Sequence, residues 1–366
     1  MASPSWIPYR KYLKGYNYGD LSEFYPDYYI SSDYSADGKV EILQKATVGR
    51  GIDIILMGDA FSDRQIAAGD YDTAMRQAAD NLFTEEPYKS FRDMFNVYAV
   101  TAVSATECYE HENTAFSGYF GGGTLVGGND AKVFEYAQKA IAAERMDDAL
   151  IVVMMNSQAY AGTCYMYYPS SNSDYGRGVS VAYFPLGTDN DMFAQLLHHE
   201  ACGHGFAKLA DEYAYEYMGA VPTDYVSQVR NWQSDWGWYK NVDFTSDPAA
   251  VKWHTFLSDP RYANEGLGVF EGGATYWTGV WRPTENSIMR YNTGGFNAPS
   301  REAIYYRIHK LAYGESWNYD YEDFVAYDAV NRKASAGISF STPIMPKDFV
   351  PLAPPVVVGK SWRDAR

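Results

Sequence analysis

His198-His199-Glu200-Ala201-Cys202-Gly203-His204-Gly205, with Leu209-Ala210-Asp211-Glu212-Tyr213 just beyond, is the stretch whose reading decides the fold. It supplies imidazoles, a carboxylate beside one of them and a further acidic pair, which is the ligand and base set of a metal-dependent hydrolase. The familiar metal-site helix reads H-E-x-x-H, whereas the histidines here are spaced H-E-x-x-x-H. In an α-helix, residues five apart point roughly 140° away from each other, too divergent for two ligands of one ion. The spacing therefore predicts a one-residue π-bulge between Glu200 and His204. Gly203 is a suitable place for it, because glycine tolerates unusual dihedrals. A straight helix at this point would mean no enzyme.

Amide hydrolysis needs a polarised carbonyl and an activated water, and Zn²⁺ with three protein ligands and an open position supplies both. His199 and His204 are the candidate nitrogen ligands. Glu200, next to the first, is placed to act as general base and later to protonate the leaving amine. The third ligand is expected just past the helix end. Asp211 is favoured over Glu212, the other carboxylate then anchoring a histidine ring. An N-cap role for one of the two is the plainer alternative. His198, further from His204, is read as an outer or surface residue, and Tyr213 as packing beneath the site. The competing reading of the whole run is ordinary histidines on a solvent-facing helix. Further on, Ser287-Ile288-Met289-Arg290-Tyr291 looks like the methionine turn that underlies the metal histidines of metzincin-type zincins. Met289 would be its floor, and Tyr291 would approach the metal or the oxyanion.

The chain has 366 residues and a net charge of −16. That balance argues against nucleic acid or anionic membrane as partners, and no apolar run is long enough to span a bilayer. The start lacks a signal-peptide pattern, so the chain is either cytosolic or mature after removal of an export signal. Three cysteines are too few for a disulfide scaffold; one bridge, Cys108 to Cys164, competes with three unpaired thiols. The 34 tyrosines give weak support for an extended peptide- or glycan-binding surface.

Strands are expected over residues 51–59, 95–103, 149–155 and 178–184, and helices over 70–83, 132–145, 191–209 and 300–313. Strand and helix alternate, which implies an α/β layer with mostly parallel strands. Residues 117–130 read as a flexible glycine-rich surface loop, since a phosphate cradle would need a lysine. The expected division is a lead-in segment over 1–45, a catalytic domain over 46–345 (upper part to about 205, lower part from 206) and a tail over 346–366. Residues 219–300 show only turns, tryptophans and glycines. A strand within 177–185 is expected to edge the cleft and pair with an extended substrate.

Several short motifs combine with the central run: Leu56-Met57-Gly58-Asp59, Phe95 to Val100, Gly203 to Tyr213, Phe270-Glu271-Gly272, and Arg282-Pro283-Thr284 with Ser287 to Arg290. On these the chain resembles the IgA-peptidase-type metallopeptidases, a metzincin-like group with many secreted members in gut bacteria. The resemblance runs from Gly51 to about Leu311. It implies a zincin-like α/β (α+β) fold and a zinc-dependent endopeptidase, secreted, periplasmic or at the cell surface. Its substrates would be proteins or peptides, glycoproteins included. The namesake has the shorter histidine spacing, while the longer one resembles that of the unrelated dipeptidyl-peptidase III family. Nothing in the sequence carries the IgA specificity. Two rival readings stand: a glycan- or peptide-binding protein on a retired peptidase fold, and a cytosolic hydrolase of a non-peptide amide.

Overall fold

The computed structural model describes residues 29–109, 113–335 and 349–365. The lead-in tyrosines before residue 29 and the first residues of the expected tail lie outside them. The chain enters through β1 (Val40–Gln44) and β2 (Ile52–Asp59), and α1 (Asp63–Ala68) and α2 (Asp70–Asn81) lead to β3 (Phe95–Val100). A hairpin of β4 (Tyr119–Phe120) and β5 (Val126–Gly127) precedes α3 (Asp130–Ala140), followed by β6 (Leu150–Met155), β7 (Thr163–Met166) and β8 (Ser180–Pro185). The helix α4 (Asn190–Leu197) begins where the Asp189 side chain accepts from the Met192 amide, and it runs directly into a π-helix, His198–Phe206. Beyond lie β9 (Ala214–Ala220), α5 (Thr223–Trp236), α6 (His254–Ser258), β10 (Leu267–Gly273) and β11 (Thr275–Thr284). The chain continues through α7 (Ile288–Tyr291), α8 (Ala298–Tyr313) and α9 (Tyr321–Ser335) to β12 (Val356–Val357).

The main sheet has the order β1-β3-β2-β6-β8-β7-β12. Strands β3, β2, β6 and β8 are parallel neighbours, whereas β1 and β7 run against theirs. The central strands are buried throughout, as expected for a sheet covered on both faces. Alternation sorts their side chains. Ile54, Leu56, Val152, Met154, Ala182 and Phe184 face one core; Ile55, Met57, Ile151, Val153, Val181 and Tyr183 face the other. The first core also takes in α2, α4, the π-helix and α8, so the histidine run is packed against the sheet. The sheet is the mixed, mostly parallel α/β layer that the sequence implies.

Four expectations need correction. β8 is no edge strand, because β6 and β7 flank it; the antiparallel β7 lies beyond it, and the two-residue β12, paired with β7 in parallel, is outermost. The glycine-rich stretch is no loose loop. Its hairpin docks on β7, with the Val126 amide donating to Thr163 Oγ1 at 3.0 Å and the Tyr165 hydroxyl to the Val126 carbonyl at 3.1 Å. The region read as irregular holds α5 and a three-stranded sheet, β10-β11-β9. Bulged registers break the strand periodicity there, and the buried face of α5 rests on Val229 and Trp232. Cys164 is a buried free thiol, so the candidate bridge to Cys108 does not form.

Candidate metal centre

Within the π-helix, each turn closes on a residue one further along than in an α-helix, as when the Ala207 amide donates to the Cys202 carbonyl at 3.0 Å. Residues five apart then stand one above the other. The irregularity is larger than the single bulge expected from the spacing, since it runs through His198–Phe206. The consequence is the one expected: the His199 and His204 Nε2 atoms lie 3.1 Å apart. Lys208, with φ +55, then turns the chain back in the left-handed region, and Tyr239 holds that turn through its amide on the Lys208 carbonyl at 2.7 Å. The reversal returns Asp211 to the histidines. Its Oδ1 lies 3.2 Å from each Nε2. Among the described residues, His199, His204 and Asp211 form one buried group that could hold a metal ion.

Both rings are set by backbone carbonyls. His199 Nδ1 faces the Ile288 carbonyl at 2.8 Å, and His204 Nδ1 faces the Leu209 carbonyl at 2.7 Å. A carbonyl only accepts, so each Nδ1 carries the proton and each Nε2 presents a lone pair. Burial lowers the His199 imidazole from its ordinary value and keeps it neutral. Three lone-pair donors thus converge at 3.1–3.2 Å, close to the roughly 3.4 Å separation expected around a tetrahedral zinc. Without a cation between them, that convergence is repulsive.

Glu200 is fully buried, and neither carboxylate oxygen has a hydrogen-bond partner. Burial, and then the Asp211 charge, push its carboxyl well above the ordinary range. An unpartnered buried carboxyl is costly, and one kept beside a metal-ready triad has the character of a functional group. The neighbouring strand makes room for it: a Cβ on Gly162 would stand 2.6 Å from Glu200 Oε1.

Glu212 is fully occupied elsewhere. Its carboxylate accepts from Ser287 Oγ at 2.6 Å, Asn241 Nδ2 at 2.9 Å and Asn297 Nδ2 at 3.0 Å, and its amide donates to the Met289 carbonyl at 2.9 Å. It therefore ties the Asp211 segment to the methionine turn, rather than anchoring a histidine ring as expected. Met289 lies under Gly203, where an added Cβ would collide with its Sδ and come within 2.9 Å of its Cε. Glycine at 203 thus leaves room for the methionine below, while its backbone stays out of the left-handed region, so the π-helix is not formed through an unusual glycine dihedral as the spacing suggested. His198 is buried, not at the surface, and points away to the Asn81 carbonyl at 2.7 Å. Tyr213 is buried beside the triad with its hydroxyl on the Leu352 carbonyl at 2.7 Å. Tyr291 lies against Phe349 and beneath the Arg290 guanidinium.

Tyr160 carries no motif that marks it in the sequence. Its hydroxyl accepts from Asn292 Nδ2 at 2.6 Å, two residues before the glycine that packs on Glu200. Burial, and then the Glu200 charge, raise its phenol well above the ordinary value. A hydroxyl that accepts from an amide keeps its own proton for another acceptor. Only the fold places it here, because Tyr160 and Asn292 are remote in the chain.

The model of the family described as IgA Peptidase M64 matches residues 40–263, a span that contains the triad, Glu200 and β7 but neither the methionine turn nor β12. No curated protein matches the chain.

Proposed function

The chain belongs to the IgA Peptidase M64 family and is a metallopeptidase, and from that premise we propose a zinc-dependent endopeptidase worked by His199, His204, Asp211 and Glu200. The observation that supports it best is the convergence of three lone-pair donors beside a buried carboxylate with no partner of its own. A zinc ion held by the triad would supply a Lewis acid for the scissile carbonyl and make water more acidic. Glu200 takes the proton of the attacking water and delivers it to the leaving amine nitrogen. Tyr291 and Tyr160 are the candidate donors to the developing oxyanion. Substrates are proteins or peptides, glycoproteins among them, and the protein acts outside the cytoplasm. The IgA specificity of the family's namesake forms no part of the proposal. The reading as a retired site drew on the extra residue in the motif, and it loses that support because the π-helix realigns the histidines.

Glu200→Gln tests the assignment. The variant keeps a carbonyl of similar shape but cannot take a proton. It should bind one zinc per chain by elemental analysis and lose roughly 10²–10⁴-fold in peptide hydrolysis. Proteolysis at the parent rate would sink the role given to Glu200.

A further inference from the structure

A segment of the chain's own C-terminal region lies across the mouth of this site. Phe349 packs on the Tyr291 ring at 5.3 Å between centroids. The Pro351 carbonyl accepts from Thr124 Oγ1 at 3.1 Å, and Thr124 in turn accepts the Gly162 amide at 3.0 Å, at the glycine that touches Glu200. The Leu352 side chain is fully buried in the first core, and its carbonyl accepts from Tyr213. Pro354 and Pro355 line a cavity of about 190 Å³ together with Asp211, Tyr225, Tyr239 and Tyr276. Val356 and Val357 then pair with Tyr165 and Met166, and the Val358 amide donates to the Met166 carbonyl at 2.9 Å. The strand that would otherwise edge the cleft is covered, and His199, Glu200 and His204 have no exposed surface.

We infer that residues Phe349–Val358 occupy the peptide-binding groove of the site, and that the groove takes extended, apolar, proline-containing peptides, which must displace this segment to reach Glu200. The inference rests on the peptidase reading above. Pairing along an exposed sheet edge is a general way to bind an extended peptide, with pockets for alternate side chains giving selectivity. The segment uses both devices: main-chain pairing to β7, and a buried pocket for Leu352. Its three prolines fix much of the backbone in advance and bring no amide hydrogens that need partners, which lowers the cost of ordering it. A groove filled from within is open only for a fraction of the time, and the apparent affinity for any outside peptide falls by that fraction.

Leu352→Asp in the full chain tests this, because a carboxylate cannot remain in the apolar pocket. The probe is a fluorescein-labelled decapeptide with the sequence of residues 349–358. The variant should bind it at least about tenfold more tightly than the parent. The amides of Met166 and Tyr168, which face this segment and its continuation rather than β8, should exchange faster, and kcat/KM on a peptide library should rise by a similar factor. Val358→Pro, which removes one edge hydrogen bond and leaves the pocket filled, should give a smaller rise in all three. It carries the test should the aspartate variant not fold. Folded variants that bind the probe no better than the parent overturn the inference. Tighter binding without hydrolysis in any variant upholds the groove and overturns the peptidase reading instead.

Discussion

His198 faces the carbonyl of Asn81, the last residue of α2, at 2.7 Å and the Thr84 hydroxyl just beyond it at 3.1 Å, while its neighbour His199 belongs to the metal triad. The turn of the π-helix thus separates a tether from a ligand. Burial lowers the His198 imidazole from 6.5 to about 4. The folded protein therefore takes up this proton less readily than the unfolded chain does. Stability from a neutral His198 is fully present above pH 6.5 and is lost as pH falls toward 4. The drop corresponds to about 3 kcal/mol over that window. His198→Gln keeps an amide donor for the Asn81 carbonyl and carries no titrating group. Below pH 6 the melting temperature of the metal-free variant should fall less steeply than that of the metal-free parent. Parallel curves would show that the acid limb is set elsewhere, for instance by His199.

The π-helix raises the element-scale question of whether its extra residue is needed or only accommodated. Deleting Ala201 would leave His199, Glu200, Cys202, Gly203 and His204 in the four-residue spacing that an ordinary α-helix aligns. It would also keep the Cys202 carbonyl that accepts from Tyr88 and the glycine over Met289. The deletion variant should bind one zinc per chain and melt no lower than the parent, because α-helical hydrogen bonds replace π ones. A folded variant without zinc would show that the wider turn itself sets the ligand positions. Much at this scale could be read in the sequence. The apolar runs of β2, β6 and β8 announced buried parallel strands, and the ligand spacing announced a π distortion. β7 was not legible, because Thr163–Met166 is short and joins the sheet only through its pairing with β8 and β12. Nor was the role of Glu212, whose partners Asn241, Ser287 and Asn297 come from three later segments. Local patterns report on local geometry, and those contacts are set by the tertiary fold.

Across the whole molecule, the triad joins parts of the structure that are otherwise held by separate contacts. His199 and His204 sit on a π-helix packed against the main sheet. Asp211 leads into β9 and the small sheet, and Ile288 belongs to the methionine turn. A cation shared by the triad would clamp these parts, and its removal leaves two imidazole lone pairs and a carboxylate facing one another. A ligand present at about a thousand times its dissociation constant stabilises the folded state by about 4 kcal/mol. For a chain of this size, that corresponds to a melting shift on the order of 8 °C or somewhat less. Dialysis against a chelator should therefore lower the melting temperature by several degrees, and zinc should restore it. The gain in hydrogen exchange should concentrate at residues 209–214 and 287–292. The core on the other sheet face, around Ile151, Val153 and Val181, has no metal-facing residue and should stay protected. A uniform rise in exchange, or a melting temperature indifferent to chelator, would mean that the triad is not the clamp between these parts. The pattern of protection is the more telling measurement, because any bound ion raises the melting point, whereas only one shared by His199, His204 and Asp211 ties those two segments to the sheet.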